Sequence, residues 1–154
     1  MPKQVFSTIM LLAEGTDAGM EAARLAISLA ANEGAPLHIV SVVDTHTLKQ
    51  LLSYRILLPD EMVEYERALV DSSRKHLDYV AQLATKAKVE HHSTLLTGAC
   101  HTSVLHEQRI ANASLLVMGT FHASTVKTDL IGREKQLIID EIPCPVLLAP
   151  AARR

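Results

Sequence analysis

Five short apolar runs alternate with segments of helical spacing along the chain. The first run, residues 5–13, ends at Glu14, Gly15, Thr16 and Asp17, which supply turn and N-cap chemistry. Residues 18–31 then place Ala22, Leu25, Ala26 and Leu29 on one stripe, predicting an amphipathic helix that Gly34 and Pro36 end. Residues 37–43 read as a second strand bounded by Asp44. Residues 45–59 are the least regular and predict a loop with a short helical piece. A long helix over 60–88 carries an apolar side of Met62, Leu69, Leu77, Val80 and Ala84. Residues 89–96 alternate weakly and are polar at His91, His92, Ser93 and Thr94, as expected of an edge strand. A third helix over 102–111 precedes a buried strand over 114–118. Residues 119–131 read as a polar loop, residues 132–141 as a helix, and residues 146–149 as a last strand stopped by Pro150.

Strands alternating with helices predict right-handed crossovers and a parallel sheet covered on both faces. Ligands of such sheets bind beyond the carboxyl ends of the strands, where strand order reverses. The loops after strands one and four, residues 14–17 and 119–132, are therefore the first places to look for function.

Composition narrows the function classes. The chain has 154 residues, enough for one domain with its own core, and one domain over 1–154 is expected. Aromatics are 3%, with no Trp, so a stacking platform for single-stranded nucleic acid is hard to build. The net charge of -2 carries no electrostatic footprint for DNA or RNA, and no nucleic-acid partner is expected. No stretch reaches the length of a membrane span. The apolar run near the N-terminus continues into Glu14-Gly15-Thr16-Asp17, which is not a small-residue cleavage site, so a first strand is the better reading than a signal peptide. Two cysteines, Cys100 and Cys144, form neither a disulfide framework nor a zinc pattern, which fits a cytoplasmic protein.

Chemistry concentrates after strand four. The segment Val117-Met118-Gly119-Thr120-Phe121-His122 leads to Ile131-Gly132-Arg133 at a predicted helix start. A glycine after a strand permits close backbone approach, and a glycine opening a helix exposes N–H groups to an anion, so the pair suggests a phosphate cradle. Ordinary turns also use glycine. Cys100, near a helix start, sits where a thiol pKa is lowered, although structural use is the plainer reading. His91 and His92 point to opposite faces of a strand, and His101 and His106 are poorly spaced on a helix, so no metal site is expected.

The segments Leu115-Leu116-Val117-Met118-Gly119-Thr120, Ser41-Val42-Val43-Asp44 and Cys144-Pro145-Val146-Leu147-Leu148, in this order of elements, resemble the universal stress protein family over essentially the whole chain. The resemblance implies a three-layer α/β sandwich whose five-stranded parallel sheet has the order 3-2-1-4-5. It implies a homodimer paired through Val146–Ala149, a regulatory protein partner, and a signalling or protective role without turnover. It also implies ATP or another adenine nucleotide as ligand, with Mg only alongside nucleotide. Nucleotide-binding members carry G-x2-G-x9-G-[S/T]. Here Gly119 and Gly132 keep the spacing, while His122 and Arg133 replace the second glycine and the hydroxyl. Glu14 stands where an aspartate is typical, Val42 where strand two meets adenine, and Met118 beside the nucleoside.

These departures have opposite physical consequences. The His122 ring either fills the phosphate pocket or donates to a phosphate. Arg133 loses a hydroxyl and gains a bidentate phosphate donor. Lys127 adds charge to the same loop, and His46 lies toward the same edge. Glu14 keeps an acceptor for a ribose hydroxyl. Two alternatives stand beside the nucleotide-binding module: a protein that works only through protein contacts, and a weak nucleotide hydrolase using His122 and Glu14. A phosphoacceptor receiver is rejected, because strand three ends at Thr97-Gly98 and strand five at Ala149-Pro150, without its aspartate and lysine.

Overall fold

Small side chains set how closely the layers approach. The computed structural model describes residues 4–56, 58–121 and 126–151, with backbone alone for 126–129. Its strands are β1 (Ile9–Leu12), β2 (Leu37–Asp44), β3 (His91–Gly98), β4 (Leu115–Gly119) and β5 (Val146–Ala149). They form one parallel sheet in the order β3-β2-β1-β4-β5. The helices are α1 (Asp17–Glu33), α2 (Thr45–Ser53), α3 (Pro59–Lys86), α4 (Cys100–Ala111) and α5 (Val126–Glu141).

The period of two sorts the central strands between two cores. Ile9, Leu11, Leu37 and Ile39 face α1 and α3, meeting Ala22, Ala26, Leu77 and Val80. Met10, Leu12, Val40 and Met118 face the other way, against Val104 of α4 and Ile138 of α5. β3 pairs with β2 alone among the described strands and exposes His92, Ser93 and Thr97, as its polar alternation predicts.

Helix α1 presents mostly alanine to the sheet, at positions 18, 22, 23, 26 and 30, and so lies close to it. Thr16 caps its start by accepting the Gly19 N–H at 3.0 Å, and Gly34 ends it at φ 64°. The close approach continues at Gly119. A Cβ there would lie 2.8 Å from the Ala18 carbonyl carbon and from the Gly19 nitrogen. The glycine expected to admit a ligand therefore admits the first turn of α1. Gly19 is the reciprocal case, since its Cβ would meet the Glu14 carbonyl oxygen at 2.2 Å.

Two elements differ from the expected pattern. Residues 45–53 form a complete helix, because the Asp44 carboxylate accepts the Thr47 N–H at 2.8 Å and caps it. Helix α5 starts at Val126, not at Gly132, so much of the expected polar loop is helical. Leu130 on that added turn is buried with Leu48 and Leu51 of α2 in a third apolar cluster, which anchors both helices over the carboxyl edge of the sheet.

Gly119→Ala should destabilise the protein by about 1–3 kcal/mol, as overpacking does. Urea unfolding measures this, and a loss below half a kcal/mol would contradict the contact with α1.

Candidate functional site

The carboxyl ends of β1 and β4, where strand order reverses, are joined by a side chain from α5. Lys135 is 4% exposed and donates to Glu14 Oε1 at 2.8 Å and to the Gly119 carbonyl at 3.2 Å. Lys135 falls on the inward stripe of Ile131, Lys135, Ile138 and Ile142, at helical spacing. That spacing is the signal in the sequence that marks Lys135 as an inward-facing charge. Burial pushes the Glu14 carboxyl above its ordinary range, while the Lys135 charge and hydrogen bond pull it back.

The neighbouring residue, Glu134, is also buried and serves α4. Its carboxylate accepts the His101 backbone N–H at 2.9 Å and pairs with the His101 ring. Asp44 accepts the Cys100 N–H at 3.3 Å through its second oxygen, so one carboxylate caps the starts of both α2 and α4. Cys100 therefore lies among carboxylates. Burial first, then the charges of Glu14, Asp44 and Glu134, push its thiol up, opposite to the lowering expected at a helix start. It stays a thiol at neutral pH.

Two spaces flank Glu14 and Val42. A cavity of about 160 Å³ lies under α2 and α5, walled by Val42, Thr47, Leu51, Leu69, Ile131 and Lys135 among others. A more open groove of about 530 Å³ lies toward α3, walled by Ala13, Gly15, Ser41, Ser72, Ser73 and His76 as well as Glu14 and Val42. His76 sits against the Glu14 backbone carbonyl, and burial pushes its imidazole pKa down. Only the groove falls within the roughly 300–1,000 Å³ of ordinary ligand pockets.

The residues chosen from sequence take different places. Glu14 and Val42 line both spaces. Glu14 has one oxygen occupied by Lys135. Met118 is fully buried in the core against α4 and α5, and neither space counts it among its walls. Gly119 is closed by α1, and its carbonyl is held by Lys135. Gly132 lies inside α5 rather than at its start, with the Phe121 ring 3.4 Å from where a Cβ would be. Its N–H is therefore that of an interior helical residue, and the exposed helix start expected there is absent. Arg133 is exposed on α5, and His46 is exposed on α2. His122 and the Lys127 side chain lie outside the described residues.

His38 on β2 and His92 on β3 meet at the surface of the sheet. His38 bonds Glu107 at 3.0 Å and stacks on His92 with ring centroids 5.3 Å apart. Among the described residues no three His, Cys, Asp or Glu side chains are grouped to hold a metal ion, and no helix is long and apolar enough to cross a membrane.

Removing one partner of the Glu14–Lys135 pair should cost about 3–5 kcal/mol, while Glu14→Gln with Lys135→Met together should cost far less. A double-mutant cycle by urea unfolding measures this. In Lys135→Met alone, Glu14 keeps a folded pKa above its unfolded value near 4.5. That variant should be most stable below pH 4.5 and lose stability as pH rises through the folded pKa. A flat profile would show that Glu14 is solvated.

Comparison with known proteins fits this architecture. The universal stress protein family model matches residues 6–150. A universal stress protein of Thermus aquaticus is 28% identical, over 94% of this chain and 98% of that protein. A structure from Burkholderia pseudomallei in the same family is 25% identical, with a TM-score of 0.68 over 97% of this chain and 100% of that one. The universal stress protein of Archaeoglobus fulgidus, solved in complex with dAMP, is 13% identical, with a TM-score of 0.61 over 96% of this chain and 99% of that one. With the sheet order, the segment order and a family match across nearly its whole length, the chain belongs to the universal stress protein family.

Proposed function

We propose that this chain is a cytoplasmic, single-domain universal stress protein, a dimeric signalling or protective module that takes an adenine nucleotide along the groove beside Glu14 and Val42. The groove carries this reading. It is about 530 Å³, lies beyond the carboxyl ends of β1 and β2, and offers hydroxyls at Ser41, Ser72 and Ser73. The fold-mate of Archaeoglobus fulgidus in complex with dAMP supports an adenine ligand. Lys135 is already committed to Glu14 and Gly119, so phosphates depend on Arg133 and on the loop with His122 in the G-x2-H-x9-G-R pattern. Mg accompanies a nucleotide rather than residing in the protein.

A second reading, a stress protein acting through protein contacts without nucleotide, is favoured by one observation. The space under α2 and α5 is only about 160 Å³, and Lys135 in its wall is already bonded to Glu14. Thermal unfolding with AMP, ADP and Mg-ATP separates the two. On the first reading, nucleotide at a hundred times its Kd adds about 2.7 kcal/mol, and Ser72→Trp abolishes the shift by filling the groove. No shift at millimolar nucleotide selects the second reading.

The dimer is assigned to the edge strand β5. Leu147 and Leu148 are 37% and 40% exposed there, and an open apolar edge calls for cover. Leu148→Lys should convert the dimer to monomer in sedimentation equilibrium at micromolar concentration. A wild-type monomer would remove the proposal.

A further inference from the structure

In the wall of the cavity under α2, one fully buried side-chain oxygen has no hydrogen-bond partner among the described residues. Each of the cavity's carboxylates has a partner: Asp44 caps two helices through its two oxygens, Glu134 holds His101 through Oε2, and Glu14 holds Lys135 through Oε1. Thr47 is different. It is 4% exposed and lines the cavity, and its Oγ1 has no hydrogen-bond partner among the described residues. Its backbone N–H is spent on Asp44, so the hydroxyl contributes nothing to the cap. Buried polar atoms are almost always paired, and an orphan asks for an explanation.

Size and wall chemistry restrict what could pair with it. At about 160 Å³ the cavity is too small for a nucleotide. It matches the cavity of about 150 Å³ that, with apolar walls, stays dry and takes a benzene ring. Much of the wall beside Thr47 is hydrocarbon from Val42, Leu51 and Leu69, against which a water cluster finds few partners. A charged ligand would lose its hydration against a surface that is mostly hydrocarbon, and an anion would also meet the three carboxylates of Glu14, Asp44 and Glu134.

We propose that this cavity binds a small neutral compound with an apolar ring or short chain and a single hydroxyl or carbonyl, whose polar atom bonds Thr47 Oγ1 while its carbon body packs on Val42, Leu51 and Leu69. The ligand lies across Glu14 and Val42 from the groove assigned to nucleotide, and the inference stands without that assignment.

Phenol and its isostere toluene test it on the full chain, by saturable changes in amide resonances and by thermal unfolding. Phenol should bind wild type and raise its melting temperature, with toluene roughly tenfold weaker for want of one hydrogen bond. Thr47→Val keeps the shape and the capping N–H. It should bind the two compounds about equally, and without ligand it should melt higher than wild type. Thr47→Ser keeps the hydroxyl and should keep the preference for phenol, a check that does not depend on the valine variant folding. No saturable phenol binding to wild type would overturn the proposal. So would a phenol preference that survives Thr47→Val. A Thr47→Val variant that melts lower while folded would also overturn it, because an ordered water would then serve the hydroxyl.

Discussion

A buried ammonium must find acceptors, and at Lys135 that requirement organises the carboxyl edge of the sheet. Its bonds run to the loop after β1 and to the last carbonyl of β4, the two central strands whose crossovers leave in opposite directions. A slip of α5 by one residue would bring Glu134 or Gln136 to the same point and leave Glu14 buried without its cation. The register of α5 is therefore fixed by charge as well as by Ile138 and Ile142. The same register aims Glu134 at the start of α4 and lays Phe121 against Gly132, with the ammonium 5.7 Å from the Phe121 ring centroid.

Glu14 and Val42 stand between two spaces of unlike chemistry at the carboxyl edge of the sheet. One is lined by serines and a histidine; the other, under α2 and α5, is smaller and its surface is largely hydrocarbon. A doubly wound sheet usually offers one crevice where its strand order reverses. Here α2 and the early start of α5 roof part of it, and the roof is held by three leucines, at positions 48, 51 and 130.

Much of the fold was legible in the sequence because burial of the central strands is nearly total. Residues 9–12 and 115–119 are buried without exception, so continuous apolar runs identified them. The order of elements and the family motifs supplied the topology. The start of α5 was not legible. Val126 and Thr128 are weak helix formers and Gly132 reads as a helix terminus, while the contact of Leu130 with α2 that opposes both is tertiary. The site was half legible. Glu14 and Val42 are at the crevice, but the close approach that Gly119 permits is that of the α1 backbone, which a glycine after a strand does not distinguish from a ligand. Cys100 keeps the plainer, structural reading: burial first, then the carboxylates of Glu14, Asp44 and Glu134, outweigh the lowering that a helix start alone would give its thiol. Lys135 was visible on its helical stripe, yet a charged residue on an apolar stripe shows its partner only when another segment folds over it.

Asp44 carries a mechanical consequence. Its two oxygens hold the first turns of α2 and α4, so the helices share one hinge pin at the end of β2. Swinging α2 outward alone sacrifices a cap worth on the order of 1 kcal/mol, in addition to its leucine contacts. Swinging it with the cap intact drags the start of α4, which Glu134 ties to α5. Stiffness at this edge is thus shared among three helices through two carboxylates, and a pull on any one of them is felt by the other two.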